Sequence, residues 1–88
     1  MRRCYVTVTG RVQGVGMRMA CASQAEQAGV AGWVRNRSDG SVEVVLEGEE
    51  GAVDGVLRWL YSGPPAARVD DVSVRTEDPQ GEQGFHVR

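Results

Sequence analysis

The spacing of apolar residues along this chain switches between a period of two and a period near 3.6, and the order of the switches leaves few folds open. Cys4, Val6 and Val8 alternate with Tyr5, Thr7 and Thr9, which predicts a first strand over 4–9. Met17 to Ala28 is rich in alanine, places Met17, Cys21, Ala25 and Ala28 on one helical face, and is followed by Gly29, a residue suited to closing a helix. Val30 to Asn36 returns to strand spacing, with Gly32, Val34 and Asn36 on one side and Trp33 and Arg35 on the other. Ser38-Asp39-Gly40 then carries the Asp-Gly signal of a tight hairpin. A third strand should therefore run back antiparallel, with Val42, Val44 and Leu46 inward and Glu43 and Glu47 facing water. Val53, Val56, Leu57 and Leu60 fall at i, i+3, i+4 and i+7 in the clearest helical stretch, which Gly63 and Pro64-Pro65 bring to an end. Val69 to Thr76 predicts a fourth strand, with Val72 and Val74 inward and Asp70-Asp71 outside or at a bulge. Glu77 to Gln83 is polar and reads as a loop, and Phe85 and Val87 alternate with His86 and Arg88 in a short closing strand.

The order is β-α-β-β-α-β with a terminal strand added. It predicts an α+β, ferredoxin-like split β-α-β sandwich in which two helices cover one face of an antiparallel sheet. A chain of 88 residues buries roughly 60 to 65% of its unfolded surface, enough for one core. Residues 1–88 are read as a single domain.

Composition removes several functions. All ten basic residues are arginine, so a lysine Schiff base, a lysine general base and a lysine-dependent phosphate loop are excluded. The net charge of -2 and a pI near 5.3 argue against a nucleic-acid partner, which calls for a basic face. Cys4 and Cys21 form no C-x-x-C pair and read as buried thiols in a reducing compartment. No apolar run approaches the roughly 18 residues of a membrane span, so a soluble, cytoplasmic protein without a membrane partner is expected. His86 stands alone and reads as a surface residue, and one histidine with two distant cysteines makes no zinc site. Trp33 and Trp59 read as packing residues rather than a stacking platform for bases.

What remains is the glycine-rich stretch Gly10-Arg11-Val12-Gln13-Gly14-Val15-Gly16-Met17-Arg18 between the first strand and the first helix. It is not a Walker A loop, which ends in Gly-Lys-Ser/Thr, nor a dinucleotide fingerprint, since Met19 stands where the third glycine belongs. It is not a thiol-phosphatase loop either, because the residue six before Arg18 is Val12 and not cysteine. A helix N-terminus with glycine-freed amides and a forked guanidinium still suits a phosphoryl dianion. Chemistry there needs water as the nucleophile and a group to place it. Asn36 is the candidate: parity puts it on the helix-facing side of the second strand, at the edge where the parallel first strand delivers the loop.

This loop, followed by Gly32-Trp33-Val34-Arg35-Asn36, Asp39-Gly40-Ser41-Val42, Glu47-Gly48 and the Phe85-x-Val87-Arg88 end, resembles the acylphosphatases over essentially the whole chain. The resemblance implies a catalytic Arg18, a water-positioning Asn36, and phosphate binding by Gln13, Gly14, Val15, Gly16, Met17 and Arg18. It implies hydrolysis of the carboxyl-phosphate bond of small acyl phosphates by a monomer, without metal or cofactor, with inorganic phosphate as product or inhibitor. The alternative reading is a non-catalytic small-anion-binding or regulatory module on the same scaffold.

Overall fold

A computed structural model describes residues 1–88. Its elements are β1 (Arg2–Arg11), α1 (Met17–Ala28), β2 (Ala31–Asn36), β3 (Val42–Gly48), α2 (Glu50–Leu60), β4 (Arg68–Glu77) and β5 (Phe85–Val87). The sheet runs β4-β1-β3-β2-β5. β3 is antiparallel to both β1 and β2, so β1 and β2 are parallel to each other and their carboxyl ends share one edge. This is the expected ferredoxin-like split β-α-β arrangement. The terminal strand β5 adds a parallel pairing with β2 and makes the sheet mixed.

Cross-strand rows explain how the valine-rich strands make a core. Val34, Val44, Val6 and Val74 form one row on the helix-covered face, and Asn36, Val42, Val8 and Val72 the next. Met17, Cys21 and Ala25 of α1 and Val53, Val56 and Leu60 of α2 close over Val6, Val8, Val34, Val42 and Val44 in a cluster of 15 buried residues, whereas Val74 of β4, expected inward, is 37% exposed. Ala28, expected on this face, is exposed, and Ala22 is buried in its stead. The small side chains of α1 let the helix lie close to the sheet. Gly29 closes it in the left-handed conformation, its N–H donating to the Ala25 and Glu26 carbonyls. At the start of α2 the Glu49 side chain accepts the Gly51 N–H.

β1 is longer than the alternation of 4–9 indicates, because β4 pairs along it from Arg3 to Arg11. The ladder shifts register between Thr9 and Gly10, opposite Asp70, which puts the acidic pair at a bulge. Gly10 takes φ 126, and a Cβ there would lie 2.2 Å from the Arg68 carbonyl oxygen, so only glycine lets the strand bend here into the loop.

The expectation that Glu43 and Glu47 face water is overturned: they are 5% and 3% exposed. β3 is the central strand, and long side chains from both neighbours fold over its helix-free face. Glu43 accepts from Tyr5 Oη and Arg35 Nε. Glu47 is covered by the segment that follows β4. It accepts the backbone N–H groups of Gln80 (2.8 Å), Gly81 (2.8 Å) and Glu82 (2.9 Å), and Arg3 Nη1 at 3.2 Å. Burial works against ionisation of both carboxyls. For Glu43 the bonds from Tyr5 and Arg35 outweigh it, and for Glu47 those from Gln80, Glu82, Arg3 and Gly81, so both pKa values lie below the ordinary 4.5. A depressed carboxylate contributes stability that is present above its unfolded pKa and lost as pH falls through the folded one. The melting temperature should therefore be level near neutrality and fall as pH drops below about 4.5. Calorimetry across that range checks this, and a melting temperature that rises on acidification would contradict it.

Candidate active site

The loop between β1 and α1 is fixed by its apolar residues and opened by its glycines. Val12 and Met17 are buried, and Val15 packs against the core cluster. Between them Gly14 and Gly16 turn outward in the left-handed region, at φ 73 and φ 79. Gly16 is the N-cap of α1 and supplies no side chain to its first turn. The first helical bond runs from the Ala20 N–H to the Gly16 carbonyl at 3.0 Å. The N–H groups of Met17, Arg18 and Met19 therefore point out of the helix end. No backbone bond in the turns and loops is donated by residues 12–16. Amide donors without a backbone partner are thus left on the loop, at the positive end of the α1 dipole.

Gln13 acts here through its side chain. Its Nε2 donates to the carbonyls of Arg37 (2.7 Å) and Ser41 (2.9 Å), which straps the loop to the hairpin after β2. That hairpin is held by Asp39, whose Oδ1 accepts from the Ser41 N–H (2.9 Å) and Ser41 Oγ (2.6 Å). These bonds from Ser41 pull the Asp39 carboxyl below its ordinary pKa. The strap fixes the loop against the end of β2, where Asn36 stands.

Val12, Gly14, Gly16, Met17, Arg18, Met19 and Asn36 line a single concavity of about 120 Å³. The hollow is of a size to seat a phosphoryl group. Of the residues expected at a phosphate, Gly14, Gly16, Met17 and Arg18 border it, whereas Gln13 and Val15 do not. Val12 and Met19 border it unannounced. Val12 reads as one more loop residue, and Met19 takes part only because its helix begins at the rim. Asn36 is exposed, and its side chain makes no hydrogen bond within the chain. Arg18 is half-buried and spends Nη1 on the carbonyl of Arg88 at 2.8 Å, which leaves Nε and Nη2 for a ligand.

The neighbouring arginines differ in freedom. Arg35 is bonded to Glu43, while Arg37 reaches Tyr5 Oη at 3.3 Å and lies 3.9 Å from Asp39 and 4.0 Å from Glu43. Arg35 and Arg88 lie over the Trp33 ring at 5.3 and 4.6 Å, and Arg75 lies over Tyr5 at 4.7 Å. Both aromatic faces on the open side of the sheet are thus covered. A larger hollow of about 340 Å³ at the far end of α1 is lined by Glu26, Gly29, Val30, Ala31, Gly84 and Phe85. It presents a carboxylate and no cationic side chain, so it does not suit an anion. No group of three or more His, Cys, Asp or Glu side chains is placed to hold a metal ion, and no helix is long and apolar enough to cross a membrane. Cys4 and Cys21 are unpaired and buried, and burial pushes the Cys21 thiol up to about 12, which keeps it from acting as a nucleophile at neutral pH.

The family model described as Acylphosphatase matches residues 4–87. An acylphosphatase of Nostoc sp. is 52% identical over 86 residues, covering 98% of this chain and 85% of the relative. One of Roseiflexus sp. is 51% identical over 88 residues, covering 99% and 95%. The crystal structure of acylphosphatase from Bacillus subtilis superposes with a TM-score of 0.97 at 37% identity, over 100% of this chain and 99% of that one. Matched along nearly its whole length in both sequence and fold, the chain belongs to the acylphosphatase family.

Proposed function

We propose that the protein hydrolyses small acyl phosphates at this concavity. The amides of Gly14, Gly16, Met17 and Arg18 and the Arg18 guanidinium hold the phosphoryl oxygens, and the Asn36 carboxamide orients a water for in-line attack. The water oxygen bonds to phosphorus as the bond to the acyl oxygen breaks, and the carboxylate leaves with the electron pair. The proton of the attacking water passes to a phosphoryl oxygen of the substrate. A carboxylate is a weak base and needs no protonation to depart. Positioning and charge stabilisation then supply most of the rate, as is general in phosphoryl transfer. The observation that supports this reading is that Gly14, Gly16, Met17, Arg18 and Asn36 border one small hollow beside a loop whose amides donate no backbone bond.

In this reading the reaction proceeds without metal or cofactor, on a monomer in the cytoplasm, with inorganic phosphate as product and inhibitor. Two buried unpaired thiols suit a reducing compartment, and aromatic faces covered by arginine suit the absence of a nucleic-acid partner. The test is turnover of benzoyl phosphate in the presence of excess chelator. Release of benzoate and phosphate at an enzymatic rate is expected. Calorimetric binding of inorganic phosphate with no turnover would favour an anion-binding module instead.

A further inference from the structure

We infer that Glu47, at the opposite end of the sheet, is a positioning residue for Arg18 and acts through the segment 78–84 and β5. The inference rests on the reading of Arg18 as a phosphate-holding group. Arg18 is steadied by one bond within the chain, to the Arg88 carbonyl, so its aim depends on where the residues after β5 lie. β5 has three residues, and its bonds beyond the ladder are the Gly32 N–H to the Gly84 carbonyl (2.9 Å) and the Arg88 N–H to the Val34 carbonyl (2.8 Å). The polar segment before it has no regular structure and cannot anchor itself by apolar burial.

Glu47 supplies the anchor. Three successive amides, those of Gln80, Gly81 and Glu82, converge on its buried carboxylate. Arg3, 5% exposed, bonds Glu47 and also Glu77 (3.0 Å) and Glu82 (2.9 Å), which ties down the segment on both sides of its turn. The cradle that an anion would fill is occupied by a side chain of the chain itself. From Glu47 the contacts run to residues 80–82, along β5, to the Arg88 carbonyl and to Arg18. With the carboxylate gone, the three amides gain most by turning to water. β5 then keeps only its short ladder with β2 and the packing of Phe85, and Arg18 must be ordered by the phosphate rather than before it.

The test compares the full chain with its Glu47→Gln variant at a temperature where near-UV circular dichroism shows both folded. The dissociation constant of inorganic phosphate and the KM for benzoyl phosphate should rise roughly threefold to tenfold, the range expected when a flexible side chain must be fixed on binding, with kcat moving less. Amide exchange should quicken at Arg88 and Gly32 while Val6 and Val44 keep their protection. Phosphate binding within twofold of the parent overturns the inference, as does weakened binding with Arg88 protection unchanged, since the effect would not then pass through β5. If Glu47→Gln fails to fold, Gln80→Pro removes one of the three donors at an exposed position and is read the same way, with smaller changes of the same sign supporting the inference and none overturning it. A parent chain that binds phosphate without hydrolysing benzoyl phosphate would remove the catalytic reading and leave this one standing.

Discussion

Arg18→Lys is expected to lower kcat/KM for benzoyl phosphate by about 10² to 10³, although the charge is kept. One arginine on a transferring phosphoryl group is worth about 10³ to 10⁵ in rate, and much of that lies in the planar fork rather than in the charge. Here Arg18 gives Nη1 to the Arg88 carbonyl and borders the hollow with Nε and Nη2 unbonded. A lysine ammonium can reach the carbonyl or the phosphate, but it cannot bridge both with fixed geometry. The loss should appear in kcat as well as KM, because phosphoryl charge shifts onto the equatorial oxygens in the transition state. Steady-state kinetics at constant ionic strength measures this. A lysine variant within about threefold of the parent would show that Arg18 is a solvent-facing helix residue.

Asn36→Ala should cost about 10² to 10³ in kcat, the usual scale for removing one preorganised hydrogen-bonding group from a reaction centre, and should leave KM nearly unchanged. The asymmetry follows from its assigned partner, a water and not the phosphate. The fold should not notice, because Asn36 is exposed and its side chain holds nothing else in place. Full turnover in this variant, or a raised KM with kcat intact, would remove Asn36 from the chemistry. The pair of variants is informative together: loss of phosphate binding belongs to Arg18 and loss of turnover with binding retained belongs to Asn36.

The parts of the fold that can be read from the sequence are those fixed by local spacing. The residues of α1 were legible from their alanines and the following glycine, and the parity of β2 sufficed to put Asn36 in the row of Val42 and Val8, on the side where the loop arrives. Parity also misled, at Glu43 and Glu47. On an alternating strand a glutamate opposite the core reads as solvent-facing, and what covers these two lies far along the chain, at Tyr5 and Arg35 in one case and at Arg3 and residues 80–82 in the other. The Arg88 carbonyl had no sign at all, because a backbone acceptor carries no residue identity. The same holds for the Gln13 strap, whose acceptors are the carbonyls of Arg37 and Ser41.

The bare N-terminus of α1 links catalysis to folding. Most helices carry a serine, threonine or aspartate at the N-cap to satisfy the first turn, and replacing such a residue by alanine costs about 1 kcal/mol. Here the position belongs to Gly16, which offers no side chain. In the proposed function the phosphoryl group is the missing cap, and each substrate in turn completes the helix and leaves it incomplete on departure. Inorganic phosphate then acts in two capacities at once, as a competitor for the site and as a folding ligand that stabilises the native chain in proportion to its occupancy. A phosphate-dependent shift in melting temperature would thus report affinity for the active site with no substrate present.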